Sequence, residues 1–397
     1  MADRTSEGEV QKDVRIVMTL MVRDEADIIA AMIEHHLAQG VDLIIATDNA
    51  SIDGTRDILA AYASTGRVEL HDYLEHDKNQ SAVVSAMASR AAAVHHADWV
   101  LNADADEFFV AKDRTLSLKD AFRGIPKHLG SFSAPVTNMT GRPARSGAAL
   151  GRLVWRDIRD EESLMSSVAL HAHPSANAIH VGRPGVTVQQ GNHGVDIPSQ
   201  GQPEDRFAIE VLHVPWRSYA QYSTKVINTG RAYDANPLLN PSPRHHGMRD
   251  YRFWRAGVLE PIYIVRHPAG EPEAGFSYDS RIVDGLLSVV GRGEALRPQF
   301  LTAVLDDTDE GYTDEEVARA AEVSAIVIPL EVEHIAASTR WRDLYRGEAA
   351  ERKRVEATLD RVTQQRDALA SRPEARLRRL GGRLLRRFTS RESERKP

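Results

Sequence analysis

The sequence predicts an α/β fold built on a doubly wound, mostly parallel sheet, with a helical extension after it. Three observations predict this. Apolar runs alternate with helix-patterned segments through the first hundred or so residues. The connections between the runs are long enough for crossovers, which parallel strands require. Each main run ends in a polar, largely acidic loop, so the loops gather at one sheet edge, where ligands bind in open α/β sheets.

The elements follow in order. Arg15 to Val22 is a nearly continuous apolar run and reads as a central strand buried on both faces. Asp24 is placed to cap a helix, with Glu25 and Asp27 in its first turn; Ile29, Ile33 and Leu37 repeat at helical spacing and Gly40 closes it. Val41 to Ala46 is a second strand that runs into the polar loop Asp48-Asn49-Ala50-Ser51-Ile52-Asp53-Gly54-Thr55. A helix over Thr55 to Tyr62 and a short strand over Val68 to Leu70 follow. The Ala-rich helix Gln80 to Ala97 then delivers the chain to Trp99-Val100-Leu101.

That fourth strand leads into Asn102-Ala103-Asp104-Ala105-Asp106-Glu107-Phe108-Phe109, on which the rest of the reading turns. Asp104 and Asp106 are two apart. On extended backbone both side chains leave one face, so two hard oxygen ligands can converge on a divalent cation. No Gly-x-Gly-x-x-Gly follows the first strand and no Gly-x-x-x-x-Gly-Lys-Ser/Thr occurs, which argues against a dinucleotide fingerprint and a P-loop.

Composition narrows the class. The chain has 397 residues, 42% hydrophobic and 27% charged, as in soluble globular proteins. It has no cysteine, which excludes disulfides, thiolate metal sites and thiol nucleophiles and suits a reducing cytoplasm. Residues 1–13 are polar and expected to be disordered, with no apolar signal region, and no run is long enough to span a membrane. From Arg340 on, 18 Lys+Arg face 9 Asp+Glu, so a basic tail follows an acidic body in a chain of net −7. No nucleic-acid partner is expected.

Met21-Val22-Arg23-Asp24-Glu25, the Asp48–Thr55 loop and Asp104-Ala105-Asp106-Glu107-Phe108, taken together and in this order, resemble the family 2 type of GT-A glycosyltransferases. The similarity is greatest to the bacterial branch whose metal motif continues into Glu-Phe. It is close over residues 14–110 and looser to about 235. The resemblance implies a GT-A fold, a nucleotide-diphosphate sugar donor, and Mn²⁺ or Mg²⁺ held against the diphosphate. It implies that Arg23, Asp24, Glu25 and Asn49 line the nucleotide pocket and that Asp48 meets the base or ribose. Asp104 would face the ribose or the metal, and Asp106 would ligate the metal. Asp53 is either a donor-loop contact or a cap for the helix after it, and Asp24 has the same two readings.

Acceptor chemistry is expected over residues 131–235. Phe132 to Val136, Gly185 to Gln190 and the run from Ile209 read as strands, and Tyr219 to Gly230 as a helix closed by its glycine. Asn192-His193-Gly194 and His213-Val214-Pro215-Trp216-Arg217-Ser218 resemble late motifs of the same branch. His213 is the first choice to complete a metal shell and His193 the second. Arg217 and Lys225 could meet phosphate. An inverting transfer needs a base on the acceptor hydroxyl. Asp196, Glu204, Asp205, Glu210 and His193 are available; Asp196 is preferred because it adjoins the Asn-His-Gly turn.

The expected organisation is a disordered stretch 1–13, a transferase domain 14–275 (nucleotide half 14–110, acceptor half 111–275), a helical extension 276–339 and a basic helical tail 340–397. Residues 236–275 read as a loop and short helix over the site, and Thr313-Asp314-Glu315-Glu316 as a capping box. In the tail, Leu377, Leu380, Leu384 and Phe388 among arginines suit peripheral contact with an anionic membrane, self-association, or simple solvation. The functional expectation is a metal-dependent, inverting hexosyltransferase acting on an unidentified glycan or other hydroxyl acceptor, cytoplasmic or peripheral at the inner membrane face, with surface polysaccharide synthesis as the analogy. Two readings stand beside it. One is a non-catalytic relative that binds nucleotide-sugars or glycans. The other is a haloacid-dehalogenase-like phosphotransferase, which wants its nucleophile on the first strand, whereas this motif ends the fourth.

Overall fold

The computed structural model describes residues 13–75, 79–235, 242, 245–268, 274–306 and 309–370. Its first half follows the alternation of the sequence. Strand β1 (Ile16–Val22), helix α1 (Ile29–Ala38), β2 (Leu43–Asp48), α2 (Thr55–Ala63), β3 (Val68–Asp72), α3 (Gln80–Ala93) and β4 (Trp99–Ala103) alternate without exception. The four strands lie side by side in the order β3-β2-β1-β4, all parallel. β1 is buried on both faces: Ile16, Met18 and Leu20 join the core that holds α1 and α2, while Val17 joins the core under α3. The α/β, doubly wound, parallel-rich class is therefore present.

The chain continues through β5 (Glu107–Ala111), α4 (Leu118–Gly124), β6 (Ser131–Ala134), β7 (Val136–Thr140), β8 (Trp155–Asp157), α5 (Glu161–Val168) and β9 (Asn177–Val181). After these come β10 (Ile209–His213), α6 (Tyr219–Asp234), α7 (His246–Arg255), α8 (Leu259–Val265), β11 (Phe276–Tyr278), α9 (Arg281–Gly291), α10 (Thr302–Leu305) and α11 (Asp314–Ala370). β9 pairs antiparallel with β4 and β6 pairs antiparallel with β9, so β6 forms that edge of the sheet. A second sheet has the order β11-β8-β7-β10-β5. In it β10 sits between two partners, and its last residue faces both: His213 is opposite Glu107 on β5 and opposite Asn138 on β7.

The aromatics after the acidic motif anchor β5. Phe108 and Phe109 are fully buried, each worth roughly 1.5–3 kcal/mol of apolar burial. The backbone of Phe109 is held by two buried histidines of α1. Its carbonyl accepts from His35 Nε2 at 3.0 Å, and its N–H donates to His36 Nε2 at 3.0 Å. Burial lowers both imidazole pKa values, that of His35 to about 4, which keeps the rings neutral and able to make these bonds.

Several local expectations are corrected. Helix α1 begins at Ile29 and Asp24 does not cap it; Asp24 has a left-handed φ of 54° and its carboxylate accepts from Ile52 N–H at 2.8 Å. Gly185 to Gln190 is no strand but one arm of an irregular hairpin, joined at Val188 and Val195, with its tip at Gln190–Asn192. Gly230 does not end α6. It lies inside the helix because the Tyr251 ring packs where a Cβ would be, 2.1 Å away. The described part of 236–275 holds two helices, α7 and α8, where a loop and one short helix are expected. The long C-terminal helix starts at Asp314, far ahead of Trp341, on the expected capping box: Thr313 N–H donates to Glu316 Oε2 at 2.9 Å and Glu316 N–H to Thr313 Oγ1 at 3.3 Å.

The chain divides into two compact units, Met1–Val332 and Glu333–Pro397. The second is helical through Ala370 and exposes Trp341, Tyr345, Leu359 and Val362. The amphipathic stretch 374–388 lies outside the described residues. No described helix is long and apolar enough to cross a membrane.

Candidate active site

The loops after β1 and β2 are laced together at the carboxyl edge of the sheet. Asp24 N–H donates to Ser51 Oγ at 3.0 Å, Glu25 N–H to Thr55 Oγ1 at 2.9 Å and Ala26 N–H to Asp53 Oδ2 at 2.9 Å. The other Asp53 oxygen accepts from Thr55 N–H and Oγ1 at 2.9 and 2.6 Å. Both oxygens of Asp53 thus serve the loop itself. Asn49 donates its amide to the carbonyls of Tyr73 and Glu75, both at 2.9 Å, which ties in the loop after β3. Asp48 is buried; Oδ2 accepts from Ser51 N–H at 3.1 Å, while Oδ1 is buried with no protein partner. Such an atom is normally satisfied by something.

Strain gathers here. Of five non-glycine residues with left-handed φ among the described residues, Asp24, Ala50 and Asn192 belong to the site loops.

One wall of the site is ionic. Asp106 is buried at the end of the β4 turn, and three nitrogens converge on its Oδ2: Lys225 Nζ at 2.8 Å, His213 Nε2 at 3.5 Å and an Arg217 nitrogen at 3.7 Å. Burial would raise the Asp106 pKa, but Lys225, His213 and Arg217 outweigh it and hold the carboxyl well below the usual range. His213 Nδ1 lies 2.9 Å from Asn138 Oδ1; a proton on Nε2 supports the Asp106 carboxylate, whereas a proton on Nδ1, donated to Asn138, leaves Nε2 the lone pair that a metal ion would need. Arg217 is wholly buried. It forks onto Asp27 at 2.8 and 3.0 Å, donates to Val214 O at 3.3 Å and to Glu25 Oε2. Burial raises the Glu25 pKa, and Arg217 and Lys225 partly reverse that.

The opposite wall is built from neutral amides. Asp104 Oδ1 accepts from Gln80 Nε2 at 3.3 Å and Asn192 Nδ2 at 3.2 Å. Glu107 Oε2 accepts from Asp104 N–H at 3.0 Å and Asn177 Nδ2 at 2.7 Å. Burial, reinforced by neighbouring carboxylates, raises the pKa of both acids, that of Glu107 far above its ordinary value. His193, at the hairpin tip, acts electrostatically on Asp104. Its ring lies 2.9 Å from where a Cβ of Gly191 would stand, and Gly191 has φ 76°, so only glycine fits beneath it.

The structure therefore brings Asp24, Glu25, Asp48, Asp104, Asp106, His193 and His213 to one edge. It redirects others. Arg217 is a buried strut between loops rather than an accessible phosphate ligand. Asp196 sits at the open end of the hairpin, where it accepts from Arg183 at 2.5 Å and from Thr187 N–H at 2.9 Å; His193 holds the tip instead. Glu210 is occupied by Arg156 and Arg281 at 2.6 and 2.7 Å. Arg23, 3.5 Å from Asp24, stays at the rim with a side chain 40% exposed. Gln80, Asn138 and Asn177 carry no sequence signal, because an amide that orients another side chain has no spacing signature, and Asp27, read as a first-turn helix acid, instead pairs with Arg217.

A divalent ion would fit the chemistry of this donor set: a carboxylate oxygen and an imidazole nitrogen already face each other at 3.5 Å, and Asp104 is two residues away. Among the described residues no three His, Asp or Glu side chains form a cage by themselves. The set is a partial shell of the kind that ligand phosphate oxygens complete.

Residues 14–138 match the family model of glycosyltransferase family 92. No curated protein matches the chain. Solved structures similar to it include the 1–349 portion of S. aureus TarS in complex with UDP, at 10% identity and TM-score 0.34 over 83% of this chain and 92% of that one. A mycobacterial protein is similar at 19% identity and TM-score 0.23, over 42% and 53%.

Proposed function

We propose that the protein is a metal-dependent, inverting glycosyltransferase that moves a sugar from a nucleotide-diphosphate donor to a hydroxyl acceptor. The observation that carries this reading is the buried Asp106, presented at the carboxyl edge of a parallel sheet with His213 on the same oxygen, in a segment that matches a glycosyltransferase family. The unpartnered Asp48 Oδ1 accepts an N–H or O–H from the donor's base or ribose. Asp106 and His213, with Asp104 beside them, hold Mn²⁺ or Mg²⁺; when bound, the ion neutralises the leaving diphosphate. His193, at the hairpin tip, takes the proton of the acceptor hydroxyl as it attacks the anomeric carbon from the face opposite the diphosphate.

Thermal stability with UDP, GDP, CDP and dTDP, each with and without Mn²⁺, tests it. One nucleotide should raise the melting temperature only with Mn²⁺, by an amount corresponding to about 2.7 kcal/mol at a hundredfold excess over Kd. Asp106→Ala should remove that shift and abolish sugar transfer. Full transfer by Asp106→Ala with unchanged metal dependence would sink the assignment.

A further inference from the structure

We propose that Lys225 is a tethered counter-cation: its ammonium holds the Asp106 carboxylate before a divalent ion arrives, and it passes to the donor's diphosphate when the ion takes that oxygen. The inference rests on the nucleotide-sugar reading above.

Two cations face Asp106, and they differ in freedom. Arg217 has a fully buried side chain, and all three of its nitrogens are engaged by Asp27, Glu25 and Val214. It cannot leave without stranding buried acids. Lys225 projects from α6, one turn after Gln221, and its side chain is 47% exposed although its ammonium reaches a buried carboxylate. Besides the 2.8 Å contact with Asp106 Oδ2, it has one longer contact, 3.5 Å to Glu25 Oε1. Its flexible four-carbon stem allows the head to move while the helix stays.

The oxygen it holds is the one that His213 Nε2 faces at 3.5 Å. Ammonium and divalent ion therefore compete for one lone-pair region, and their mutual repulsion prevents both from staying. Glu25, Asp27 and Asp106 stand against Arg217 and Lys225, so the cluster keeps one net negative charge with the lysine in place. A divalent ion in the lysine's place on Asp106 would bring the cluster to neutral, and a diphosphate entering beside it would find both the ion and the released ammonium. Lys225 is then a positioning residue that lowers affinity for free metal and raises affinity for the metal–nucleotide pair.

The test is direct binding. Mn²⁺ affinity is measured by electron paramagnetic resonance without nucleotide, and UDP, GDP, CDP and dTDP affinity by calorimetry at saturating Mn²⁺. Wild type, Lys225→Met and Lys225→Arg are compared, with circular dichroism and melting temperature to confirm folding. Lys225→Met should bind free Mn²⁺ about tenfold tighter and the preferred nucleotide about tenfold weaker, the scale of losing one hydrogen bond to a charged group. Lys225→Arg should recover most nucleotide affinity. Unchanged or weaker Mn²⁺ binding by folded Lys225→Met overturns the proposal, as does unchanged nucleotide binding. If no nucleotide binds wild type, the donor reading fails by itself, and tighter or unchanged Mn²⁺ binding still decides the competition at Asp106.

Discussion

Asp104 and Asp106 are two residues apart, yet they stand in walls of opposite character. Around Asp106 the neighbours are Lys225, Arg217 and His213, and the carboxyl is held strongly acidic. Around Asp104 they are the amides of Gln80 and Asn192 and the acid Glu107, and the carboxyl pKa rises. The acids of the ionic wall are paired with internal cations. The amide wall and the adjoining loop keep unused hydrogen-bonding atoms, Asp48 Oδ1 and Asn192 Oδ1 among them. The difference teaches a division of labour: one wall concentrates charge, the other has hydrogen-bonding capacity left over.

Removing the strut should break the comparison most severely. Arg217→Met leaves Glu25, Asp27 and Asp106 without their buried cation, and a loss of about 3–5 kcal/mol is expected by guanidinium denaturation. Asp106→Asn is milder. It removes charge-assisted hydrogen bonds worth about 1.5–3 kcal/mol at pH 7, and it should also erase the Mn²⁺-dependent nucleotide shift in melting temperature.

Acid should separate the walls. Asp106 has a depressed pKa in the folded protein, so its contribution is present at neutral pH and is lost as pH falls below the ordinary carboxylate value of 3.8 toward its folded pKa. Glu107 has a raised pKa, so its contribution is full below 4.5 and is lost as pH rises through the folded pKa. Glu107→Gln mimics the protonated acid. From pH 7 to 5, wild type should therefore gain stability relative to Glu107→Gln in parallel denaturation curves. A constant difference would show that Glu107 ionises normally.

The smallest effect on folding is expected at the recognition wall. Asp48→Asn keeps an acceptor for Ser51 N–H and should change stability by less than about 1 kcal/mol, but calorimetry should show nucleotide affinity about tenfold weaker. A large loss of stability with unchanged affinity would make Asp48 a part of the framework instead.

Much of residues 14–110 was legible from the sequence. The β1-to-β4 alternation follows from local apolar periodicity and long crossovers, and the motif at Asp104 to Phe109 falls where such a strand must end. Residues 111–275 were less legible. Gly185 to Gln190 has strand-like alternation, but with a single bridge at Val188 it never joins a sheet. Gly230 looks like a helix stop, yet it answers a distant aromatic ring. Asp196 is nearest to His193 in sequence, whereas the hairpin carries it to the other end. In each case a local signal was overruled by a partner far along the chain.

The sequence by itself determined the kinds of residue at the site and the sheet edge that gathers them, because strand order in a parallel α/β unit follows from crossovers and handedness. Only the tertiary structure decided which acid is charged, which histidine faces it and which arginine is buried. Those outcomes depend on register: β10 places His213 opposite both Glu107 and Asn138, and no spacing along the chain encodes that pairing. They depend equally on burial and charge, since the Asp106 carboxyl is strongly acidic beside Lys225, whereas burial and neighbouring carboxylates make that of Glu107 weakly acidic.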